Sequence, residues 1–429
     1  MVPNARLNGE VFTIPKFTVE KRDVQGFLDE LRGFHAEFRH CFSRSEPRDN
    51  FFRYMVGQLS ELERKSIEPM AMQVEGGNVR AMQRFITDVV WNEAQMLRTY
   101  HNLVQEDLGD PQGVLILDET GFPKKGPESA GVARQYCGAL GKVDNCQVGV
   151  FMAYASPQGY ALLDKRLFIP EAWFTEAYQP RRSKCDFPTE VAFKTKPQLA
   201  AEMLHAVHQE DILPFKYVAA DEIYGNSQEF LDAVEQCVGA IYFVSVPSTT
   251  RCWLQPPQLK ERTVKYRGNT RFQRLVPKTE KQPITVDQLA KSLNNFYWYK
   301  RKVSEGVKGP ITYEFTKRQV TLSKKGLPDR TVWLIMKRTI SENPVYSFYI
   351  SNAPVSTRLA TFVWLSGMRW PIEQCFEETK SELGLDHYEV RKYAAWNHHV
   401  LTCMLAHFFL WHLKIKLGEK STTYYTIAA

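Results

Sequence analysis

Val114-Leu115-Ile116-Leu117-Asp118-Glu119-Thr120-Gly121-Phe122-Pro123-Lys124-Lys125-Gly126 is the stretch on which the reading of this chain turns. Four apolar residues in a row suit a strand buried on both faces. The run ends in an acid, and an ionised carboxylate at the end of a buried strand must be solvated, paired or metal-bound. Further on, Tyr217-Val218-Ala219-Ala220-Asp221 repeats the arrangement. In both places a glutamate follows the aspartate (Glu119, Glu222) and a glycine comes soon after (Gly121, Gly225). Strand side chains alternate between faces, so only one acid of each pair can enter a shared site. The aspartates are chosen because both stand in the same relation to their strands.

A third acid lies far downstream. Glu373 comes four residues after Arg369 and seven before Lys380. On an α-helix those offsets put all three in one stripe, with the cations stabilising the ionised acid and within reach of phosphate. Glu377 shares the stripe and is a rival; Glu378 is turned away. Pro371 favours a helix start, which would leave Arg369 just before the first turn. Two aspartates and a helical glutamate, with no His or Cys cluster, form the all-oxygen ligand set that Mg²⁺ prefers.

The surrounding pattern gives the domain order. Residues 1–110 read as an all-helical N-terminal domain expected to bind DNA, although no helix-turn-helix spacing stands out. Its expected helices are Val24–Phe42, one capped by Asp49 and running through Leu59 to Ile67, and one over Asn78–Glu106. Residues 111–247 carry strands at 113–118, 147–155, 159–169, 215–220 and 240–246, with helices at 197–209 and 227–237. That is the order of the first part of an α/β, RNase H-like core with a mixed sheet. Residues 248–352 form a basic β-rich insertion with strands at 263–266, 312–315, 332–337 and 346–351. Residues 353–429 return to helix, at 359–383 and 397–417, and carry the third acid.

Charge singles out the insertion. The chain of 429 residues has a net charge of +7, but residues 251–340 hold 21 Lys and Arg against 6 Asp and Glu, a net +15 that leaves −8 for the rest. Such a concentration faces phosphate, and the interleaved Trp253, Tyr266, Phe272, Phe296, Tyr297, Trp298 and Tyr299 suit base or backbone packing. Eight scattered cysteines without a C-x-x-C pair argue for reduced thiols in a cytoplasm. Met1–Pro15 lacks the apolar core of a signal peptide, and Leu401–Ile415, interrupted by His407 and His412, reads as a buried helix rather than a membrane span. His398, His399, His407 and His412 read as packed core residues.

The Arg369, Glu373, Lys380 spacing resembles the YREK signature of bacterial DDE transposases of insertion sequence family 4. The stretch 118–126, with Gly131-Val132-Ala133-Arg134-Gln135-Tyr136-Cys137-Gly138, Asn145–Val150 and Gly384-Leu385-Asp386-His387-Tyr388-Glu389-Val390-Arg391, is similar to the insertion sequence family 701 group. The likeness runs from about residue 55 to about residue 412. Ser366 stands where the tyrosine of the signature would fall, so that role is absent or passes to another residue such as Trp364 or Trp370.

The resemblance implies that Asp118, Asp221 and Glu373 are the catalytic residues and bind two Mg²⁺ ions, with Mn²⁺ able to substitute. Arg369 and Lys380 would steady phosphates, and Lys124, Lys125 and Arg134 would contact DNA near the cut. The enzyme would cleave terminal inverted repeats, join their 3′-hydroxyl ends to target DNA, form a homodimer in synapsis, and work on the bacterial nucleoid with no membrane partner. A metal-dependent nuclease on the same fold and a domesticated end-binding protein without strand transfer are the competing readings.

Overall fold

The structure, a computed structural model, describes residues 21–266, 269–306 and 309–427. The first twenty residues, expected to belong to the helical N-terminal domain, lie outside the described residues. Helices α1 (Lys21–Glu37), α2 (Ser45–Gln58), α3 (Ile67–Gln73), α4 (Val79–Thr87) and α5 (Glu93–Leu108) lead into β1 (Val114–Pro123), β2 (Ala133–Cys137), β3 (Lys142–Ser156) and β4 (Gly159–Phe168). Next come α6 (Gln179–Lys184), α7 (Lys196–Glu210), β5 (Tyr217–Ala220), α8 (Glu222–Gly225), α9 (Gln228–Gln236) and β6 (Ile241–Val246). The basic segment supplies β7 (Arg251–Trp253), β8 (Lys260–Tyr266), β9 (Asn269–Leu275), β10 (Ile284–Thr285), α10 (Val286–Ser292), β11 (Tyr299–Gly306), β12 (Gly309–Lys324) and β13 (Leu327–Arg338). Finally β14 (Tyr346–Ser351) leads to α11 (Leu359–Gly367), α12 (Trp370–Leu383) and α13 (Tyr393–Ile427). The described residues fall into two compact units, one of Tyr217–Arg369 and one of the remainder.

In the larger unit, β1 runs antiparallel to β3 in unbroken register from Val114↔Ala155 to Pro123↔Cys146, and β3 pairs with β4 and β2 in turn. The strand therefore does not end at Asp118, as the apolar run alone suggests. The ladder carries it five residues further, and Asp118 sits opposite Phe151 in mid-strand. The N-terminal helices share a core with α13 and are not a separate domain. Phe34 packs on Phe408 and Phe409, the Tyr54 hydroxyl and His399 Nδ1 lie 2.9 Å apart, and the Gln58 amide donates to Thr402 Oγ1. By length and composition Tyr393–Leu417 could cross a membrane, but Val400–Phe409 is buried among these elements.

Three expected helices are cut short or divided. The helix expected to run from Asp49 past Leu59 ends at Gln58, where the Ser60 hydroxyl turns back to the Gly57 carbonyl. The pattern over 78–106 resolves into α4 and α5, because Trp91 leaves the helical path to stack on His398 at 4.0 Å and on Phe85 at 4.6 Å. The pattern over 359–383 breaks before Trp370, in keeping with Pro371 in the first turn of α12. All eight cysteines are buried free thiols.

In the unit Tyr217–Arg369, β5 and β6 are parallel, whereas β6, β14, β13 and β12 follow in antiparallel order, so the sheet is mixed. The strands of the basic segment thus extend the sheet that β6 begins, except β8 and β9, which make a two-stranded sheet of their own. Asp221 caps α8, its Oδ1 accepting from the Ile223 amide at 3.0 Å, and Gly225 closes that turn against β6. A Cβ at Gly225 would collide with the Ser245 carbonyl oxygen, a backbone atom that cannot step aside. Gly225→Ala should therefore cost about 1–3 kcal/mol of stability, read from urea unfolding; an unchanged midpoint would contradict this packing.

Candidate active site

Asp118 and Glu119 are half-buried on opposite faces of β1, and the faces have different neighbours. Glu119 is held by Lys196 at the start of α7, 2.8 Å away, with both side chains largely shielded. The other face carries Asp118, Thr120 and Phe122, which share the strand period of two. There Lys380 of α12 donates to Thr120 Oγ1 at 2.8 Å and to the Gly121 carbonyl at 3.1 Å, and its ammonium lies 5.2 Å from the Phe122 ring centre. The acid chosen from the Asp-Glu pair is thus the one on the α12 face.

Seven residues before Lys380, two helical turns back on the same stripe, stands Glu373. It is exposed, as is Glu377 one turn on. Glu378 points the other way: it meets His407 Nε2 at 2.7 Å and accepts from the Tyr160 hydroxyl at 2.8 Å and the Gln374 amide at 3.1 Å. Burial pushes the Glu378 carboxyl up, but those hydrogen bonds outweigh it and hold the group below its ordinary value. Asp221 follows β5 and belongs to the other unit. Among the described residues, no three His, Cys, Asp or Glu side chains are gathered as a metal cluster.

The cations divide into inward and outward groups. Lys380 is mostly buried, and desolvation lowers its pKa against the opposing pull of Asp386. Lys124 packs with its ammonium 3.4 Å from the centre of the Tyr388 ring and donates to the Tyr388 carbonyl at 3.2 Å. Lys125 and Arg134 are exposed. Arg369 precedes α12 instead of lying within it, as Pro371 suggested. Ser366, at the position of the missing tyrosine, donates its hydroxyl to the Val363 carbonyl of its own helix; Trp364 is buried and Trp370 is half exposed against Tyr160.

The motif stretches converge. Lys124 and Asn145 are bonded by backbone and side chain, the Gln147 amide donates to the Ala130 carbonyl at 2.6 Å, and the Tyr388 hydroxyl donates to Gln147 Oε1 at 2.8 Å. The Ala130 amide donates to the Arg391 carbonyl at 2.9 Å. Tyr388 and Thr120 were missed as members of this site. For Thr120 the signal was available, since it lies two residues after Asp118 and shares its face. The four histidines are packed as expected: burial pushes His398 and His399 down to about 4, and His412 pairs with Asp107 at 2.6 Å.

Burial pulls the Lys124 ammonium down to about 8, although Asp386 and Glu389 pull it up. In the unfolded chain this group titrates at about 10.4. Between those values the unfolded state binds more protons, so stability gains with rising pH. The unfolding free energy of the wild type minus that of Lys124→Met should rise from pH 8 to pH 10; a flat difference would place Lys124 in solvent.

Comparison with known proteins places the chain in a family. A family model described as "DDE superfamily endonuclease" matches residues 37–310. The chain is 28% identical over 351 residues to a protein of Microchaete diplosiphon described as "Probable transposase for insertion sequence element IS701", covering 80% of this chain and 77% of that one. A cryo-EM structure of a piggyBac transposase synaptic complex with hairpin DNA aligns with a TM-score of 0.43 at 9% identity, over 93% of this chain and 78% of that one. The chain belongs to the DDE superfamily endonucleases, and the resemblance to insertion sequence family 701 transposases read from its motifs is borne out.

Proposed function

We propose that the chain is a transposase that cleaves the ends of its own insertion sequence by phosphodiester hydrolysis and joins the freed 3′-hydroxyls to target DNA. In this reading Asp118, Asp221 and Glu373 are the catalytic carboxylates of an RNase H-like core. The observation that carries it is the Lys380 tie, which fixes the Asp118 face of β1 against the helix bearing Glu373. Enzymes of this superfamily use divalent metal ions. The donor set fits a hard cation: Asp118 and Asp221 are half-exposed and Glu373 is exposed, so none is sealed from solvent in the core. Mg²⁺ held by these acids would supply charge stabilisation for in-line attack on phosphorus.

The chain's own groups supply position and field. Arg369 and the exposed Lys125 and Arg134 contact phosphates beside the cut. Lys124 and Lys380 hold the motif stretches together from within. The strands of the basic segment bind the DNA backbone, two copies of the chain assemble on paired ends, and the reaction takes place on the bacterial nucleoid in the cytoplasm.

The test is cleavage of duplex DNA bearing the element's end, with Mg²⁺ or Mn²⁺. Wild type should leave a nick with a 3′-hydroxyl. Asp118→Asn, Asp221→Asn and Glu373→Gln should each lose about a thousandfold or more, since several kcal/mol of transition-state stabilisation is removed. Glu377→Gln and Glu378→Gln should keep cleavage. Undiminished cutting by Asp118→Asn would refute the assignment, and a wild type that cuts but never yields joined product with target plasmid would make the chain a nuclease.

A further inference from the structure

The β8–β9 hairpin stands apart from the main sheet, and none of its described side chains is buried. Its two seven-residue strands pair without a bulge from Lys260↔Leu275 to Tyr266↔Asn269. At about 3.3 Å per residue the ribbon is roughly 20 Å long. A two-stranded ribbon with no core of its own is marginal in water, so a surface that receives it would add to its stability. Residues 260–275 carry Lys260, Arg262, Lys265, Arg267, Arg271 and Arg274 against Glu261 alone, a net +5 on sixteen residues.

The two described cross-strand pairs next to Lys260↔Leu275 differ in kind. Glu261 and Arg274 neutralise one another at 3.0 Å in an exposed ion pair. On the opposite face, Arg262 and Gln273 lie side by side, Arg262 Nε and Nη2 donating to Gln273 Oε1 at 3.1 and 2.9 Å, both side chains exposed. A guanidinium and a primary amide held edge to edge are the groups that read guanine and adenine edges in the major groove, which is wide enough to admit a two-stranded ribbon. Phe272, 81% exposed, lies on the other face of the ribbon, with Glu261 and Arg274, because strand side chains alternate.

We infer that the β8–β9 hairpin is a DNA-reading arm that enters the major groove of a duplex, with Arg262 and Gln273 contacting base edges and the surrounding cations holding phosphates. The inference rests on the end-binding reading above and deepens it by naming the element that reads sequence. Electrostatics decides the partner: a ribbon of this charge is drawn to a polyanion, and the paired planar donors suit bases rather than an acidic protein surface.

The test is selection of bound duplexes from a randomised library by the full chain, followed by sequencing, for wild type, Arg262→Ala/Gln273→Ala and Phe272→Ala. The wild type should enrich a defined motif. The double variant should lose information at adjacent positions, with the ratio of specific to non-specific affinity falling by about tenfold or more. Phe272→Ala, on the face turned away from the bases, should leave the motif unchanged. Thermal unfolding should be unchanged in all three, because the hairpin lies outside both cores. A wild-type motif that survives every substitution overturns the hairpin's role and leaves the end-binding reading intact. A wild type that enriches no sequence overturns both.

Discussion

One ammonium group joins the two elements that carry two acids of the proposed site. Lys380 reaches from α12 to β1 and is shared between the Thr120 hydroxyl and the Gly121 carbonyl. A mostly buried cation must find acceptors or lose its proton, so α12 is held where those oxygens are. Asp118 lies two residues before Thr120 on the same face, and Glu373 lies two turns before Lys380 on the same stripe. The relation between strand acid and helix acid is therefore set by a contact that involves neither of them. Glu119 and Glu378, the neighbouring acids, are instead held by Lys196 and by His407.

The stretches that carry the family resemblance support that joint from below. Tyr388 is the hub: its ring receives the Lys124 ammonium, its carbonyl accepts from it, and its hydroxyl reaches Gln147 on β3. β3 in turn pairs with β1 along its whole length. Segments distant in sequence thus make one hydrogen-bonded body, in which the loss of a single member leaves a buried polar group unmatched. Lysines near a phosphate-cleaving site invite assignment to phosphate, but here two of them spend their charge inside the protein. Lys125 and Arg134, by contrast, are exposed.

Much of the architecture was legible where the local pattern is strong. The apolar runs before Asp118 and Asp221, the hairpin turn at Ser156–Gly159 and the helices at 197–209 and 227–237 appear within a few residues of expectation, whereas the basic segment holds more and longer strands than expected, the one at 312–315 running over Gly309–Lys324. The errors share a cause. Helical periodicity does not show where a helix must stop so that an aromatic can pack, as Trp91 does between α4 and α5. An apolar run does not show how far a ladder extends a strand, as β3 extends β1 past Asp118 to Pro123. Nor does composition show that N-terminal helices and the C-terminal helix share one core, which depends on contacts between Tyr54 and His399 and between Phe34 and Phe409.

The sequence by itself determined the superfamily and the pattern behind the proposed site: acids in strand and helix contexts, a strongly basic segment, and motifs specific enough to place the chain among the DDE endonucleases. These follow from residue type, order and spacing along the chain. Only the tertiary structure decided which face of β1 looks toward α12, that Glu378 is a structural partner of His407, that Lys124 and Lys380 are internal ties, and that β8 and β9 stand apart as a ribbon. Each depends on which surfaces meet across long sequence separations, where burial and hydrogen-bond geometry assign a side chain's role and its local pattern cannot.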